Sequence, residues 1–317
     1  MAASYREIAT TKPFRFIVGS NAVEFFVHPA VIVQHSEPLA KLMHGDMREA
    51  REGQARIEEV DENTFARFVE FCYTKDYPAA EHAIVLDAAS IEQEKQPSEV
   101  AEVNSIPAHG NVPRAAEDEY MDVAEPALGF DDNWGDFSFP SKKKAKKAGY
   151  KIAAPSQWES APATSSRKRT VAWKDFQNMS WNSQSNGSKV PADQARPNKE
   201  ACEEYTDVFL SHARLYVFAD TYAIEPLRVL SLQKLHKVLG TFTLFKGREE
   251  DIATLLQYTY QNTAERDAKM DELRKLVIKY VSCNVEKLRS NETFKKTLAA
   301  ENSSSVDLIE MLLPRLD

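Results

Sequence analysis

The side chains that most often perform chemistry are few and scattered in this chain of 317 residues. The three cysteines form no Cys-x-x-Cys pair, and the seven histidines show no metal-ligand spacing such as His-Glu-x-x-His. The ten glycines form no phosphate-binding loop. His28 has no Ser, Cys or carboxylate partner at the spacing of a catalytic triad, so we interpret it as structural. The sequence predicts no enzyme activity, no cofactor, no metal and no small-molecule substrate.

A cluster of basic residues in the middle of the chain has the composition of a binding segment. Its five lysines are typical of a nuclear import signal: Lys142, Lys143, Lys144, Lys146 and Lys147. The alternative interpretation is a solvated linker charge, and Arg167-Lys168-Arg169 forms a second basic run. Nucleic-acid binding is disfavoured because no recognition fold accompanies the lysines and the net charge of the chain is −8.

Upstream of the lysines, residues 117–136 contain eight acidic residues and no Lys or Arg. Four aromatic residues lie at the end of this block: Phe130, Trp134, Phe137 and Phe139. Acidic neighbours keep such aromatics in water, where they are free to enter a groove of a partner protein. The block is therefore a candidate linear binding motif. Alternatively, Trp134 folds back onto the protein, or the acidic residues pair with the lysines.

Composition divides the chain into folding and non-folding parts. Only 43% of the residues are apolar and the mean hydropathy is −0.48, which suggests that part of the chain does not fold. Residues 79–204 hold nine of the fifteen prolines and all four tryptophans, so we predict a largely disordered insert there. Residues 1–11 are predicted to be flexible and lack the apolar run of a signal peptide. Because no apolar run approaches the roughly 18 residues that span a bilayer, we expect a soluble intracellular protein without membrane partners.

Strand and helix signals follow one another in the stretch before this insert. Apolar residues alternate over 14–18 and 23–27 on either side of Gly19-Ser20-Asn21-Ala22, which predicts a β-hairpin. Pro29 suits the first turn of a short helix, and Ser36 suits the cap of a second one.

A third predicted strand and a third helix complete this first block. Arg56-Ile57-Glu58 alternates polar and apolar residues, and Asn63 is predicted to cap the helix that follows. Phe65, Phe68 and Cys72 form one apolar face of that helix. The predicted order is strand, strand, helix, helix, strand, helix.

These residues resemble a known family. Two patterns carry the likeness: Phe25-x-Val27-His28-Pro29-Ala30-Val31-Ile32-Val33-x-x-Ser36, and Glu58-Glu59-Val60-Asp61-Glu62-x-x-Phe65-x-x-Phe68-x-x-Phe71-x-Tyr73-Thr74-x-x-Tyr77. Together they resemble a BTB/POZ domain of the kind abundant in fungi. After the insert, Leu215-Tyr216-Val217-Phe218-Ala219-Asp220-x-Tyr222-x-Ile224-x-x-Leu227 resembles the helical pair that closes such a domain.

The resemblance implies an α+β fold in which helices pack on a small sheet. Residues 12–78 and 205–245 are predicted to form this one BTB/POZ domain, with the insert at 79–204 between its two parts. Its last helix is predicted over Pro226 to Leu239 and ends at Gly240. Apolar residues at helical spacing continue to the C-terminus, so residues 246–317 are predicted as a helical extension.

The resemblance also implies a function, because BTB/POZ domains bind proteins rather than catalyse reactions. We expect self-association or an adaptor scaffold. Met47 and Glu49 lie where cullin-binding members carry a hydrophobic-x-acidic triplet, which makes them a candidate cullin contact in a ubiquitin ligase complex. An ordinary solvated loop is the alternative.

A second hypothesis belongs to a different functional class. In it the chain is a nuclear transcriptional regulator that enters the nucleus through the lysine run and contacts the transcription machinery through the acidic-aromatic block. The expected location is accordingly the nucleus, the cytoplasm or both.

Overall fold

The structure, a computed structural model, describes residues 5–85, 163–181, 196–264 and 269–315, with side chains from residue 169 onward in the second range. All of these residues belong to one compact unit, formed by Met1–Glu94 together with Ser160–Asp317. No helix in the described ranges is long and apolar enough to cross a bilayer.

Short strands and helices in the first third give way to longer helices. In chain order the elements are α1 (Tyr5–Thr10), β1 (Phe14–Val18), β2 (Val23–Val27), α2 (Pro29–Ile32), α3 (Glu37–His44), α4 (Arg48–Glu52), β3 (Gln54–Ile57), α5 (Glu62–Thr74), β4 (Ala83–Ile84), α6 (Ala163–Gln177), β5 (Glu203–Glu204), α7 (Thr206–Thr221), α8 (Glu225–Thr241), α9 (Glu249–Asn262), α10 (Glu272–Leu288), α11 (Glu292–Ala300) and α12 (Asn302–Leu312), followed by a 3-10 turn (Leu313–Arg315).

The sheet is small and has β1 as its central strand. β2 pairs with β1 antiparallel, β3 pairs with β1 parallel, and Phe16 lies opposite both Phe25 and Ala55. Alternate residues of β1 are buried, as the period of a strand requires. Gly19 supports the hairpin turn with a φ of 73°, a conformation that costs glycine little. The predicted hairpin is confirmed.

Two local predictions in this block need correction. The third strand begins at Gln54, two residues earlier than predicted, because pairing with β1 rather than side-chain alternation sets its start. The cap of α5 is Asp61, not Asn63. The Asp61 carboxylate accepts the N–H of Thr64 at 3.0 Å, which satisfies a backbone donor that the first helical turn leaves free.

The two blocks on either side of the insert share one apolar core. Phe218 on α7 packs against Phe68 on α5, with 4.8 Å between the ring centroids. Ser36 caps α3 by accepting the N–H of Leu39, and its hydroxyl donates to the carbonyl of Tyr222 at 2.7 Å. Residues from both blocks fill the core: Phe14, Phe16, Val18, Val27, Val31, Ile32, Leu39, Phe65, Phe68, Phe71, Leu215, Phe218, Ala219, Ile224 and Leu227.

The helices after α8 form a second core that shares α7 with the first. Phe209 and Tyr216 of α7 are buried there, together with apolar residues of α8, α9 and α10. The backbone N–H of Tyr205 donates to Asp251 of α9 at 2.8 Å, which ties the start of α7 to this extension. The predicted helical C-terminal region is confirmed. However, α8 continues through Gly240 to Thr241, and the backbone N–H of Phe242 donates to the carbonyl of Val238 at its end.

Parts of the segments predicted as unstructured are ordered. In the N-terminal region, α1 forms over Tyr5–Thr10, and Ile8 is half-buried against the first core. Within the predicted insert, β4 pairs with β5 antiparallel, and α6 packs on the extension with Phe176 fully buried. Long-range contacts stabilise these pieces, and composition alone does not reveal such contacts.

Candidate functional site

His28 occupies a structural position at the junction of β2 and α2. It is the N-cap residue of α2, and its Nδ1 lies 2.7 Å from the hydroxyl of Tyr73 on α5. No Ser, Cys or carboxylate is within hydrogen-bonding distance of the ring in the described part of the chain. This geometry fits the structural interpretation. Among the described residues, no three His, Cys, Asp or Glu side chains come together as metal ligands.

Met47 and Glu49 lie at the start of α4. Met47 is 62% exposed and immediately precedes the helix, while Glu49 is half-buried in its first turn. An exposed unbranched thioether side chain adapts readily to a partner pocket, and a carboxylate near it adds charge recognition. Nothing in the structure shows a cullin, so the cullin contact stays a prediction.

A long groove opens where the first block meets the helical extension. It has a volume of about 840 Å³, which lies within the usual range for ligand pockets. We call it the junction groove. Its apolar lining comes from α3, the β3–α5 connection, α7 and α9: Leu39, Leu42, Ile57, Val60, Val217, Phe218, Tyr222 and Tyr258.

Acidic side chains follow one wall of the junction groove. Glu58, Glu59 and Asp61 lie along the β3–α5 connection, where Glu58 pairs with Arg56 at 2.6 Å and Asp61 caps α5. Glu59 is exposed and has no hydrogen bond or ion pair to a described residue. It is therefore available to a basic group of a ligand.

The opposite wall carries groups that also lack protein partners. The guanidinium of Arg214 on α7 forms no hydrogen bond or ion pair with any residue that the structure describes, and neither does either tyrosine hydroxyl in the groove. Burial raises the pKa of Tyr258 to about 12, and Asp61 adds to that increase while Arg214 opposes it. Tyr258 therefore remains a neutral hydrogen-bonding group at physiological pH. An apolar lining with a few unpaired polar groups is the usual character of a ligand-binding pocket.

A smaller pocket of about 200 Å³ lies beside His212 and Lys234. Its charges are already compensated within the protein, since Lys234 pairs with Asp76 at 2.6 Å and Arg196 pairs with Glu203 at 2.6 Å. Nδ1 of His212 lies 2.8 Å from the buried hydroxyl of Tyr77. Burial lowers the pKa of His212 to about 3, so the ring is neutral. We interpret this pocket as part of the structural core.

Two other candidate sites fall outside the described residues. They are the nuclear import candidate, Lys142, Lys143, Lys144, Lys146 and Lys147, and the linear motif candidate, Phe130, Trp134, Phe137 and Phe139. The structure neither supports nor contradicts them.

Sequence reasoning did not identify the junction groove. Its residues come from four elements that are up to about 220 positions apart, and no short motif joins them. The sequence features that could have pointed to it are Tyr222, in the pattern that ends at Leu227, and the three acidic residues before α5. The groove itself forms only because α9 packs against α7.

Comparison with known proteins agrees with the fold. Residues 15–104 match the BTB/POZ domain family, which is less than a third of the chain. Neither a curated protein nor a solved structure matches the chain. The match starts in β1 and includes the strands and helices through α5, whose packing is described above. This chain therefore contains a BTB/POZ domain, and BTB/POZ domains are protein–protein interaction modules.

Proposed function

We propose that the chain is a non-enzymatic adaptor that binds a linear peptide of a partner protein in the junction groove. One observation carries the proposal: the groove combines an apolar lining with the unpaired carboxylate of Glu59 and the unpaired guanidinium of Arg214. A peptide with an apolar side chain next to a lysine or arginine matches that lining, with its basic group facing Glu59. Complementary charge increases both the rate and the specificity of such binding.

The test is affinity purification of the full-length chain followed by mass spectrometry, with Glu59→Lys compared with Glu70→Lys. Glu70 is an exposed acidic residue on α5 and does not line the groove, so it is a matched control. We expect partners that the parent chain and Glu70→Lys retain and that Glu59→Lys loses. Identical partner sets for both variants contradict the proposal.

The cullin adaptor is a narrower proposal on the same domain, supported by the exposure of Met47 and by Glu49 beside it. Met47→Ala combined with Glu49→Lys removes the apolar contact and reverses the charge. We expect this double variant to lose co-purified cullin, while Arg51→Ala, an exposed change on the same helix, keeps it. Equal recovery of cullin with both variants removes the hypothesis.

Self-association is the other form of the adaptor proposal. Sedimentation of the purified chain at micromolar concentration measures it directly, and a mass above that of the 35.8 kDa monomer is the expected result. A chain that stays monomeric and also retrieves no partner contradicts the adaptor role as a whole.

The alternative function is that of a nuclear transcriptional regulator, supported by the sequence of the lysine run from Lys142 to Lys147 and of the acidic-aromatic block that ends at Phe139. A fluorescent fusion is compared with the same fusion lacking these residues. Nuclear signal that disappears with the deletion supports import through this segment, whereas cytoplasmic signal in both fusions contradicts it.

A further inference from the structure

Helix α6 rests in a groove on the surface of the helical extension. The groove lies between α8 and α10, and we call it the α8–α10 groove. Its walls carry Gln233 and His236 on α8, and Glu272, Lys279 and Tyr280 on α10.

Aromatic side chains fill this groove. The ring of Phe176 is fully buried, with its centroid 4.8 Å from that of His236 and 5.5 Å from that of Tyr280. Trp173 stacks on Phe176 at 5.1 Å, and Trp181 meets the edge of His236 at 5.5 Å. The three anchors follow the spacing Trp-x-x-Phe-x-x-x-x-Trp. Aromatic anchors in a pocket are the groups that dominate peptide binding.

Polar contacts fix the position of the segment in the groove. Nε2 of His236 lies 2.8 Å from the carbonyl of Phe176, which belongs to the last turn of α6 and also accepts the backbone N–H of Met179 at 3.1 Å. The side chain of Gln233 donates to the carbonyl of Trp181 at 2.8 Å, and the Trp181 indole N–H donates to Glu272 at 3.1 Å. His236 and Gln233 thus bind backbone carbonyls at and after the end of the helix, and Glu272 binds an anchor side chain. Peptide-binding grooves use the same two kinds of contact.

Helix α6 packs on α10 and on the 3-10 turn (Leu313–Arg315), and most of its described side chains are exposed or half-buried. Of residues 169–181, whose side chains are described, Phe176 alone is buried, whereas α10 buries eleven of its residues. Apart from Phe176, the apolar side chains of the segment that pack on the second core are only half-buried: Ala172, Trp173, Met179 and Trp181. Less apolar surface per residue is therefore buried in α6 than in α10, and the free energy that holds α6 in place is correspondingly smaller.

We propose that the α8–α10 groove is a docking site for a segment with the pattern Trp-x-x-Phe-x-x-x-x-Trp, in which the first two anchors lie on a helix and the last Trp follows it, and that residues 163–181 are its resident, displaceable ligand. A partner protein with a segment that carries the same three aromatic anchors competes for the groove and releases α6. The covalent link gives α6 an effective concentration in the millimolar range, so it blocks weak competitors and yields to tight ones. This inference is independent of the junction groove.

A labelled peptide of residues 163–181 tests the proposal in the full-length chain by fluorescence anisotropy. In the variant with Trp173→Ala, Phe176→Ala and Trp181→Ala, the resident segment no longer competes. We expect this variant to bind the peptide at least about 10-fold more tightly than the parent chain does. Val171→Ala, which changes an exposed side chain of α6, is the control and should behave as the parent. Equal affinity of parent and triple variant overturns the proposal.

Hydrogen exchange on the unmodified chain gives a second test that needs no variant. Amides of α6 are expected to exchange faster than those of α8 and α10, because the segment leaves the groove while the extension stays folded. Exchange of α6 only at the rate of the surrounding helices means that the segment is an integral part of the core, and the proposal then fails.

Discussion

At the scale of single residues, buried polar groups connect parts of the chain that are distant in sequence. Ser36 and Tyr222 are one such pair, and Tyr77 and His212 are another. Both pairs join the segment before the insert to α7 or to the residue that follows it. Because an unmet buried donor or acceptor is costly, each pair specifies how the two blocks must meet.

Replacement of Ser36 tests this connection. Ser36→Ala removes the cap of α3 and leaves the carbonyl of Tyr222 without its donor, so we expect a loss of about 1–3 kcal/mol in the free energy of unfolding. Urea denaturation followed by circular dichroism measures the change. Ser20→Ala, at an exposed turn position, is the control and should differ from the parent by less than about 0.5 kcal/mol.

The buried His212 predicts a loss of stability in acid. Burial, with Lys234 and Arg67 adding to it, lowers the pKa of His212 to about 3, below the ordinary value of 6.5. Above pH 6.5 the ring is neutral in both states and has no effect. As the pH falls from 6.5 toward 3, the unfolded chain takes up a proton that the folded chain refuses, so folding loses about 1.4 kcal/mol per pH unit.

His212→Gln keeps a hydrogen-bonding side chain near Tyr77 and removes the titration. Between pH 7.5 and pH 5.0, we expect the parent to lose about 2 kcal/mol more of its unfolding free energy than this variant does. Urea denaturation at the two pH values gives the comparison. Burial and the charge of Lys75 lower the pKa of His35 to about 4. Because His35 is present in both proteins, its contribution cancels in the comparison. Equal losses contradict a buried neutral His212.

At the scale of elements, the sequence predicts helices and strands well where their own residues determine them. The hairpin follows from the alternation in β1 and β2, and α5, α9 and α10 follow from their apolar faces. Predictions fail where distant partners determine the structure. The composition of residues 79–204 predicts a disordered insert that includes α6. This prediction fails for α6 because its aromatic residues are held in place by His236 and Tyr280, which are distant in sequence. The junction groove was missed for the same reason.

Replacing one phenylalanine on α7 and one on α6 compares the stability cost of a mutation in the shared core with that of a mutation in a helix on the surface. Phe218 of α7 contacts Phe65 and Phe68, so Phe218→Ala leaves a cavity between the two blocks and should cost about 3–5 kcal/mol. Phe176 is equally buried, but α6 can leave the groove without disturbing the core. Phe176→Ala should therefore cost at most about 3 kcal/mol, the transfer free energy of one phenyl side chain. Chemical denaturation of both variants measures the difference, and equal costs contradict a separable α6.

At the scale of the whole molecule, α7 links the BTB/POZ domain to the extension. One side of the helix, with Leu215 and Phe218, belongs to the first core, and another, with Phe209 and Tyr216, belongs to the second. A helix that is apolar nearly all round is stable only when it is covered on both sides. The boundary predicted at residue 245 therefore separates two segments of sequence that are not independent folding units. Because α7 contributes side chains to both cores, the stability of each segment depends on the other.

Truncation after residue 245 is the decisive test of this dependence. It removes α9 to α12 and exposes at least five buried side chains to water: Tyr205, Phe209, Tyr216, Leu235 and Leu239. At about 1.5–3 kcal/mol for each, the loss is about 7–15 kcal/mol, which equals the whole stability of an ordinary domain. We expect the fragment 1–245 to aggregate or to lose its near-ultraviolet circular dichroism, while the full chain unfolds in one cooperative transition. A soluble, cooperatively folding fragment would instead show that the extension is a separate domain, and the junction groove would then lack a fixed wall.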